Sequence, residues 1–271
     1  MNFDIMVSNR CNLNCIHCCM KKRLNCKGFK LDFDFIRYQL NKYNEKGTIH
    51  LSGGEPLLIN ENDMRELINL IDENKNKYRF FMTSNLCLDL TDLRKELISK
   101  VDMSTSFDNN LGRFKSFKNI NKWYHNCKYI VKNQSLNVFI TYHKNLHKYD
   151  NIVKLIDMID EIGFKNAYLN PFMNFNNNYE FYNYDELLGE ITILDSVAKQ
   201  LMYYSSNVFS ESRKRIEHGY GLECNYPYKD FCICIEGSEI INCILDPQCN
   251  CRKEKENNNI LDCKYLEDKR R

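Results

Sequence analysis

The chain has almost no excess charge of either sign: 38 lysines and arginines stand against 36 aspartates and glutamates, a net charge of +2 over 271 residues. A balance this even removes the electrostatic case for nucleic acid or an anionic membrane as partner. Long apolar runs are missing too. The opening MNFDIMVSNRC breaks every hydrophobic stretch with an acidic or polar residue, so neither a signal peptide nor a membrane span is expected there, and a cytoplasmic location is. Internal repeats are absent beyond an alternation of strand-like and helix-like segments. The length suits one large α/β domain, or a domain of about 200 residues with a small appendage, better than two equal domains.

What the chain does have is cysteine, fourteen in all. In a reducing compartment that number points to metal ligands or catalytic thiols rather than a disulfide framework. The distribution is uneven. Cys11, Cys15, Cys18, Cys19 and Cys26 lie within 16 residues near the start, and Cys224, Cys232, Cys234, Cys243, Cys249, Cys251 and Cys263 crowd the end. Only Cys87 and Cys127 fall between, where a small buried hydrophobe is the expected role. Two separate metal sites are the first expectation.

Between the clusters, short β-type runs alternate with longer segments of helical period, the pattern of repeated βα units on a parallel sheet. Strands are expected at 3–8, 47–52, 78–84, 101–107, 136–142 and 166–170. Helices are expected at 32–46, 61–76, 91–99, 114–131 and 150–163, with a sixth near 184–205. In 150–163, Ile152, Leu155, Ile156 and Ile159 share one face, and Gly163 supplies the stop. The fold class is therefore α/β, a partial (β/α)6 TIM-like barrel over residues 1–205 with a small Cys-rich segment over 206–271. Such a barrel gathers the loops that follow its strands at one mouth, where chemistry is kept.

Both strong motifs fall on those loops. After the first strand comes Cys11-Asn-Leu-Asn-Cys15-Ile-His-Cys18, spaced CxxxCxxC. Three thiolates leave a metal site one ligand short of closure, and an open metal position binds something else. By spacing alone, Cys19, Cys26 or His17 could close it as a zinc site. After the second strand comes Gly53-Gly54-Glu55-Pro56. Two glycines there let the backbone approach a ligand closely, and Pro56 fixes the turn.

In that order and context the pair of motifs resembles the radical S-adenosylmethionine (SAM) superfamily. The resemblance implies that Cys11, Cys15 and Cys18 hold a [4Fe–4S] cluster whose fourth iron is chelated by SAM, and that Gly53, Gly54 and Glu55 lie along the methionine end of SAM. It further implies His17 beside the adenine, and ribose contacts from Ser84 and Asn85 after the third strand and Ser106 and Asp108 after the fourth. Tyr142, His143 and Asn145 would face SAM or substrate, an exposed loop being the simpler reading of His143.

In the tail, Cys224, a Gly237 turn between two β-like runs, and Cys243 resemble the SPASM and shorter Twitch extensions that bind auxiliary clusters in this superfamily. The interval from Cys224 to Gly237 fits, Cys243 comes one residue late, and the full SPASM cysteine run is missing. A Twitch-like domain with at least one auxiliary [4Fe–4S] cluster is expected, held by Cys224 and Cys243 with Cys249, Cys251 and Cys263 as further ligands. Cys232 and Cys234 are candidates too, and two irregular clusters or a zinc knuckle are the alternatives.

The resemblance implies reductive cleavage of SAM to a 5′-deoxyadenosyl radical that abstracts hydrogen from a substrate, with flavodoxin or ferredoxin as electron donor. A peptide or protein substrate is preferred, modified by thioether or crosslink formation or by epimerisation. A small-molecule dehydrogenase or rearrangement enzyme is the alternative; from another class, a non-catalytic zinc or iron–sulfur scaffold. The first strand starts near residue 3, which counts slightly against a leader-binding domain, and no DGPG-like stretch indicates a glycyl-radical activase.

Overall fold

The computed structural model describes residues 2–15, 18, 20, 24, 29–108, 113–114, 116–142, 149–171, 189, 192–193, 196 and 232–241. Six βα-type strands run β1 Asn2–Ser8, β2 Gly47–Gly53, β3 Tyr78–Ser84, β4 Asp102–Asp108, β5 Leu136–Tyr142 and β6 Asn166–Pro171. Between them lie α1 Phe33–Lys42, α2 Glu61–Asn74, α3 Asp92–Ser99, α4 Phe117–Asn133 and α5 Tyr149–Ile162. Each of these elements overlaps the segment expected for it, and the ends are set by local chemistry. Helix α4 starts three residues later than expected because Ser116 accepts the Asn119 N–H and so caps it there. Helix α1 ends four residues early, at an extended Tyr43. The sixth expected helix lies largely outside the described residues.

Alternation along the strands sorts the side chains. Phe3, Ile5, Val7, Ile49, Leu51, Phe80, Met82, Met103, Val138 and Ile140 join Met64, Leu67, Ile68 and Ile71 of α2 in one buried apolar cluster. Each such side chain contributes about 1.5–3 kcal/mol by leaving water. The strand positions between them are mostly polar and sit on the other face. There Asp4, 2% exposed, meets His50 Nδ1 at 3.2 Å and accepts from the Ser52 hydroxyl. Thr83 and Ser104 are bonded at 2.8 Å, and the Phe139 and Tyr168 rings stack at 5.2 Å.

The sheet order is β6-β5-β4-β3-β2-β1-β7-β8. Neighbouring strands are parallel except for the last pair, and among the described residues the sheet does not close on itself, as a partial barrel requires. The outer pair is the hairpin of the tail. β7 (Cys232–Glu236) lies parallel to β1 with Asn2 opposite Cys232 and Met6 opposite Glu236, and β8 (Glu239–Ile241) folds back antiparallel on it. Gly237 takes φ +60 in the turn between them. The tail's first hairpin thus extends the barrel's own sheet. No helix among the described residues is long and apolar enough to cross a membrane.

Candidate functional site

The parallel pairing of β1 and β2 brings two loops side by side at the carboxyl ends of the strands, the loop that carries the cysteines and the GGEP turn. Their approach is closer than side chains would allow. Gly53 has φ +127, and a Cβ on it would stand 2.0 Å from the Ser8 carbonyl oxygen; one on Gly54 would stand 2.5 Å from the Arg10 carbonyl oxygen. In the space so freed, the Gly54 N–H donates to Ser8 O and the Glu55 N–H to Arg10 O, both at 2.7 Å. The glycines therefore serve a backbone contact between the two loops, and that contact fixes the chain immediately before Cys11.

Glu55 then ties in a third loop. Its carboxylate is completely buried, with Oε1 accepting from the Leu57 N–H at 3.1 Å and the Ser84 hydroxyl at 2.7 Å, and Oε2 accepting from the Asn85 N–H at 2.7 Å. The first bond caps the short 3-10 turn Pro56–Leu58; the other two hold the end of β3. Burial pushes this carboxyl above its ordinary pKa, against the pull of those three donors and of the nearby Arg113 charge.

The loop after β3 reaches the cysteines. Asn85 accepts the Cys87 N–H at its Oδ1 (2.8 Å), and its Nδ2 donates to Asn12 Oδ1 at 2.8 Å and to Cys11 Sγ at 3.8 Å. Asn12 in turn donates to Cys87 O at 2.9 Å. Between Asn85 and Cys87, buried Leu86 holds φ +52, a left-handed backbone rare for a branched residue. It is held there by its N–H on Ser84 Oγ (3.1 Å) and by Asn126 of α4, which donates to Leu86 O and Leu88 O at 2.9 and 2.7 Å.

Cys11 and Cys18 are half-buried and Cys15 buried, all with free thiols. Burial pushes Cys15 up to about 11 and raises Cys11, with Cys18 raising both further and Cys11 adding to the rise at Cys15. A metal would displace those protons. Opposing them is Arg113, buried and paired with the buried Asp108 at 3.0 Å, whose charge lowers Cys11 and Cys15. The three thiols neighbour one another without converging: among the described residues no three His, Cys, Asp or Glu side chains stand close enough to hold a metal ion.

The model of the radical SAM superfamily matches residues 5–188. The chain belongs to the radical SAM superfamily. No curated protein matches it closely. Among solved structures, SuiB of Streptococcus suis bound to S-adenosylmethionine is similar at a TM-score of 0.61 and 16% identity, over 90% of this chain and 60% of SuiB. SuiB bound to its precursor peptide SuiA gives 0.59 and 17% over 90% and 59%, and anSMEcpe with bound AdoMet and a Cp18Cys peptide gives 0.63 and 15% over 98% and 81%. These likenesses show the fold. The chain spans about three-fifths of SuiB's length.

Membership in the radical SAM superfamily implies a [4Fe–4S] cluster and SAM, and the residues suit them. Three soft sulfur donors sit on one loop at the carboxyl end of a parallel sheet, beside a buried guanidinium able to offset the negative charge of a thiolate-bound cluster. Of the other expected contacts, Gly53, Gly54 and Glu55 meet the chain just before Cys11, Asn85 reaches Cys11 and Asn12, Ser84 bonds to Glu55, Asp108 pairs with Arg113, and Ser106 is half-buried on β4. His17, His143, Asn145, Cys19, Cys26, Cys224, Cys243, Cys249, Cys251 and Cys263 lie outside the described residues, while Cys232 and Cys234 stand on β7. Cys87 and Cys127 are buried thiols raised by desolvation, Cys87 to about 12; both are inert by that measure.

Sequence reasoning passes over Asn12, Arg113, Asn126 and the Asp4–His50 pair. Asn12 lies inside the cysteine motif but is not one of its spaced cysteines, and Arg113 sits five residues beyond its partner Asp108 on a loop with no motif. Asn126 and the Asp4–His50 pair acquire their partners only when segments far apart in sequence align.

Proposed function

We infer that the chain reductively cleaves SAM and uses the resulting 5′-deoxyadenosyl radical to abstract hydrogen from a peptide or protein substrate, in a modification such as thioether or crosslink formation or epimerisation. The observation that carries the reading is the pinning of the cysteine loop to the GGEP turn by two 2.7 Å backbone bonds. It gives both motifs one rigid origin at the mouth of the barrel. When bound there, a low-potential cluster supplies one electron to the sulfonium of SAM.

Cys11, Cys15 and Cys18 are the residues to hold that cluster, with Arg113 as counter-charge. Of the expected SAM contacts, Gly53, Gly54, Ser106, Asp108 and His17 are kept in this reading; Glu55, Ser84 and Asn85 are not, because their polar groups are bonded to one another and to Leu57, Asn12 and Cys87. The half-buried polar face of the sheet, lined by His50, Ser52, Thr83, Ser104 and the Phe139–Tyr168 stack, is the surface for substrate. An open face of that kind suits an extended peptide, and SuiB and anSMEcpe have each been seen with a peptide bound. The tail belongs to the same reading as an auxiliary-cluster domain over 206–271, its ligands drawn from Cys224, Cys243, Cys249, Cys251 and Cys263. A cytoplasmic flavodoxin or ferredoxin is the electron donor.

Anaerobic reconstitution, dithionite reduction and assay for 5′-deoxyadenosine test the reaction; a reconstituted chain that makes none refutes it. Iron counting in a Cys11→Ala, Cys15→Ala, Cys18→Ala triple variant reads the tail by itself. About four irons remaining indicates one auxiliary cluster and about eight indicates two, whereas zinc alone refutes both.

A further inference from the structure

The side chain of Asn85 points away from a role as a SAM contact. Its orientation is fixed by the Cys87 N–H, which donates to Oδ1 and can only do so if the NH2 group faces the other way. That NH2 group has two protons and two acceptors, Asn12 Oδ1 at 2.8 Å and Cys11 Sγ at 3.8 Å. Cys11 is also approached by the Leu13 N–H at 3.4 Å. One sulfur of the three-cysteine loop thus sits against two N–H donors, one of them brought from 74 residues away by the fold.

We propose that Asn85 is a positioning residue for the cluster, holding Cys11 in register and raising the reduction potential of the iron it ligates through an N–H···S bond. The chemistry is general: a donor to a ligand sulfur draws charge from it and favours the reduced cluster, so the groups around a metal's ligands set its potential as surely as the ligands do. The construction behind Asn85 is what such a task calls for. Its own N–H is held by Glu55, the next residue is kept in a left-handed conformation, and Asn126 braces the loop from the helix side. Strain of that kind persists only where surrounding bonds overdetermine it.

The proposal rests on Cys11, Cys15 and Cys18 holding the SAM cluster, and the test separates the two. The wild-type chain is reconstituted and its SAM-site cluster recognised as the electron paramagnetic resonance signal that changes on adding SAM and vanishes in the triple-cysteine variant. A chain without that signal overturns the cluster assignment, and this proposal with it. Given the signal, its midpoint potential is measured without SAM in Asn85→Asp, Asn85→Ala and Asn126→Ala.

Asn85→Asp is isosteric and keeps the acceptor for the Cys87 N–H, but loses both protons and adds a negative charge that lowers the potential by itself. Asn85→Ala, which removes the protons without adding charge, is therefore the deciding variant. The expected result is a midpoint shifted to more negative potential in both Asn85 variants, or loss of iron from that site alone in an otherwise folded Asn85→Ala. Asn126→Ala, which loosens the loop without touching sulfur, stays at the wild-type potential. Unchanged potential and iron content in Asn85→Ala overturn the proposal; if SAM affinity falls at the same time, Asn85 is a cofactor contact instead. An equal shift in Asn126→Ala also overturns it, because loop position and not the sulfur bond would then be responsible.

Discussion

Replacing Glu55 with Gln separates a strut from a ligand contact. The carboxylate accepts from two buried backbone N–H groups, Leu57 on one oxygen and Asn85 on the other, and from the Ser84 hydroxyl. An amide has one oxygen. Whichever way it turns, its NH2 faces one of the two N–H groups, and a buried donor left without an acceptor costs about 1–3 kcal/mol. Part of that is offset, since burial already disfavours the charged carboxylate. A net loss of about 1–2 kcal/mol is expected for Glu55→Gln, and roughly 2–5 for Glu55→Ala, which strands both donors and opens a cavity. For a chain of this size each kcal/mol lowers Tm by about 2–4 °C. The measurement is urea or thermal unfolding of the cluster-free, SAM-free protein under reducing conditions, followed by the fluorescence of Trp123, the chain's one tryptophan. Wild-type stability in the SAM-free variants, accompanied by weakened SAM binding, would refute the reasoning and return Glu55 to the cofactor.

Gly54→Ala should disrupt the cysteine loop. The new Cβ stands 2.5 Å from a backbone oxygen that cannot retreat without giving up the bonds at Ser8 and Arg10, so iron bound at the three-cysteine site should fall after reconstitution, read against the triple-cysteine variant. His50 should carry pH-dependent stability. Burial opposes its imidazolium, but the charge and hydrogen bond of Asp4 outweigh that and raise its pKa above 6.5. Because the folded value is the higher one, the pair's contribution is fully present below about pH 6.5 and is lost as pH rises through the folded pKa. His50→Gln should flatten that part of the Tm-against-pH curve, and an unchanged slope would dismiss the pair as its source. Trp123→Phe should cost about 1–3 kcal/mol by circular dichroism, through the cavity left among Phe107, Phe114 and Phe164 and the lost 3.0 Å bond to Thr105; no change would show that the aromatic cluster is loosely packed.

The order of strands and helices was legible because it depends on periodicity and caps, which are local: Asp32, Asn60, Thr91 and Ser116 each accept an N–H at the start of the helix they precede. The motifs were legible because the three cysteines share eight residues of chain and GGEP sits at a strand end. The tail hairpin could be placed around Gly237 by its turn residues, but nothing local announces that β7 takes the free edge of β1, a pairing across some 230 residues.

What the amino-acid sequence determined by itself is the βα alternation, the loop that carries three thiols and the tight turn that follows β2, since each is encoded in neighbouring residues. Only the tertiary structure decided what those pieces do to one another. The glycines make room for a second loop, Glu55 joins the ends of β2 and β3, and the amide of Asn85 comes to face Cys11. The physical reason is that buried hydrogen-bonding groups must find partners, and which partners lie within about 3 Å is settled by strand register and loop closure, neither of which is written at the residues concerned.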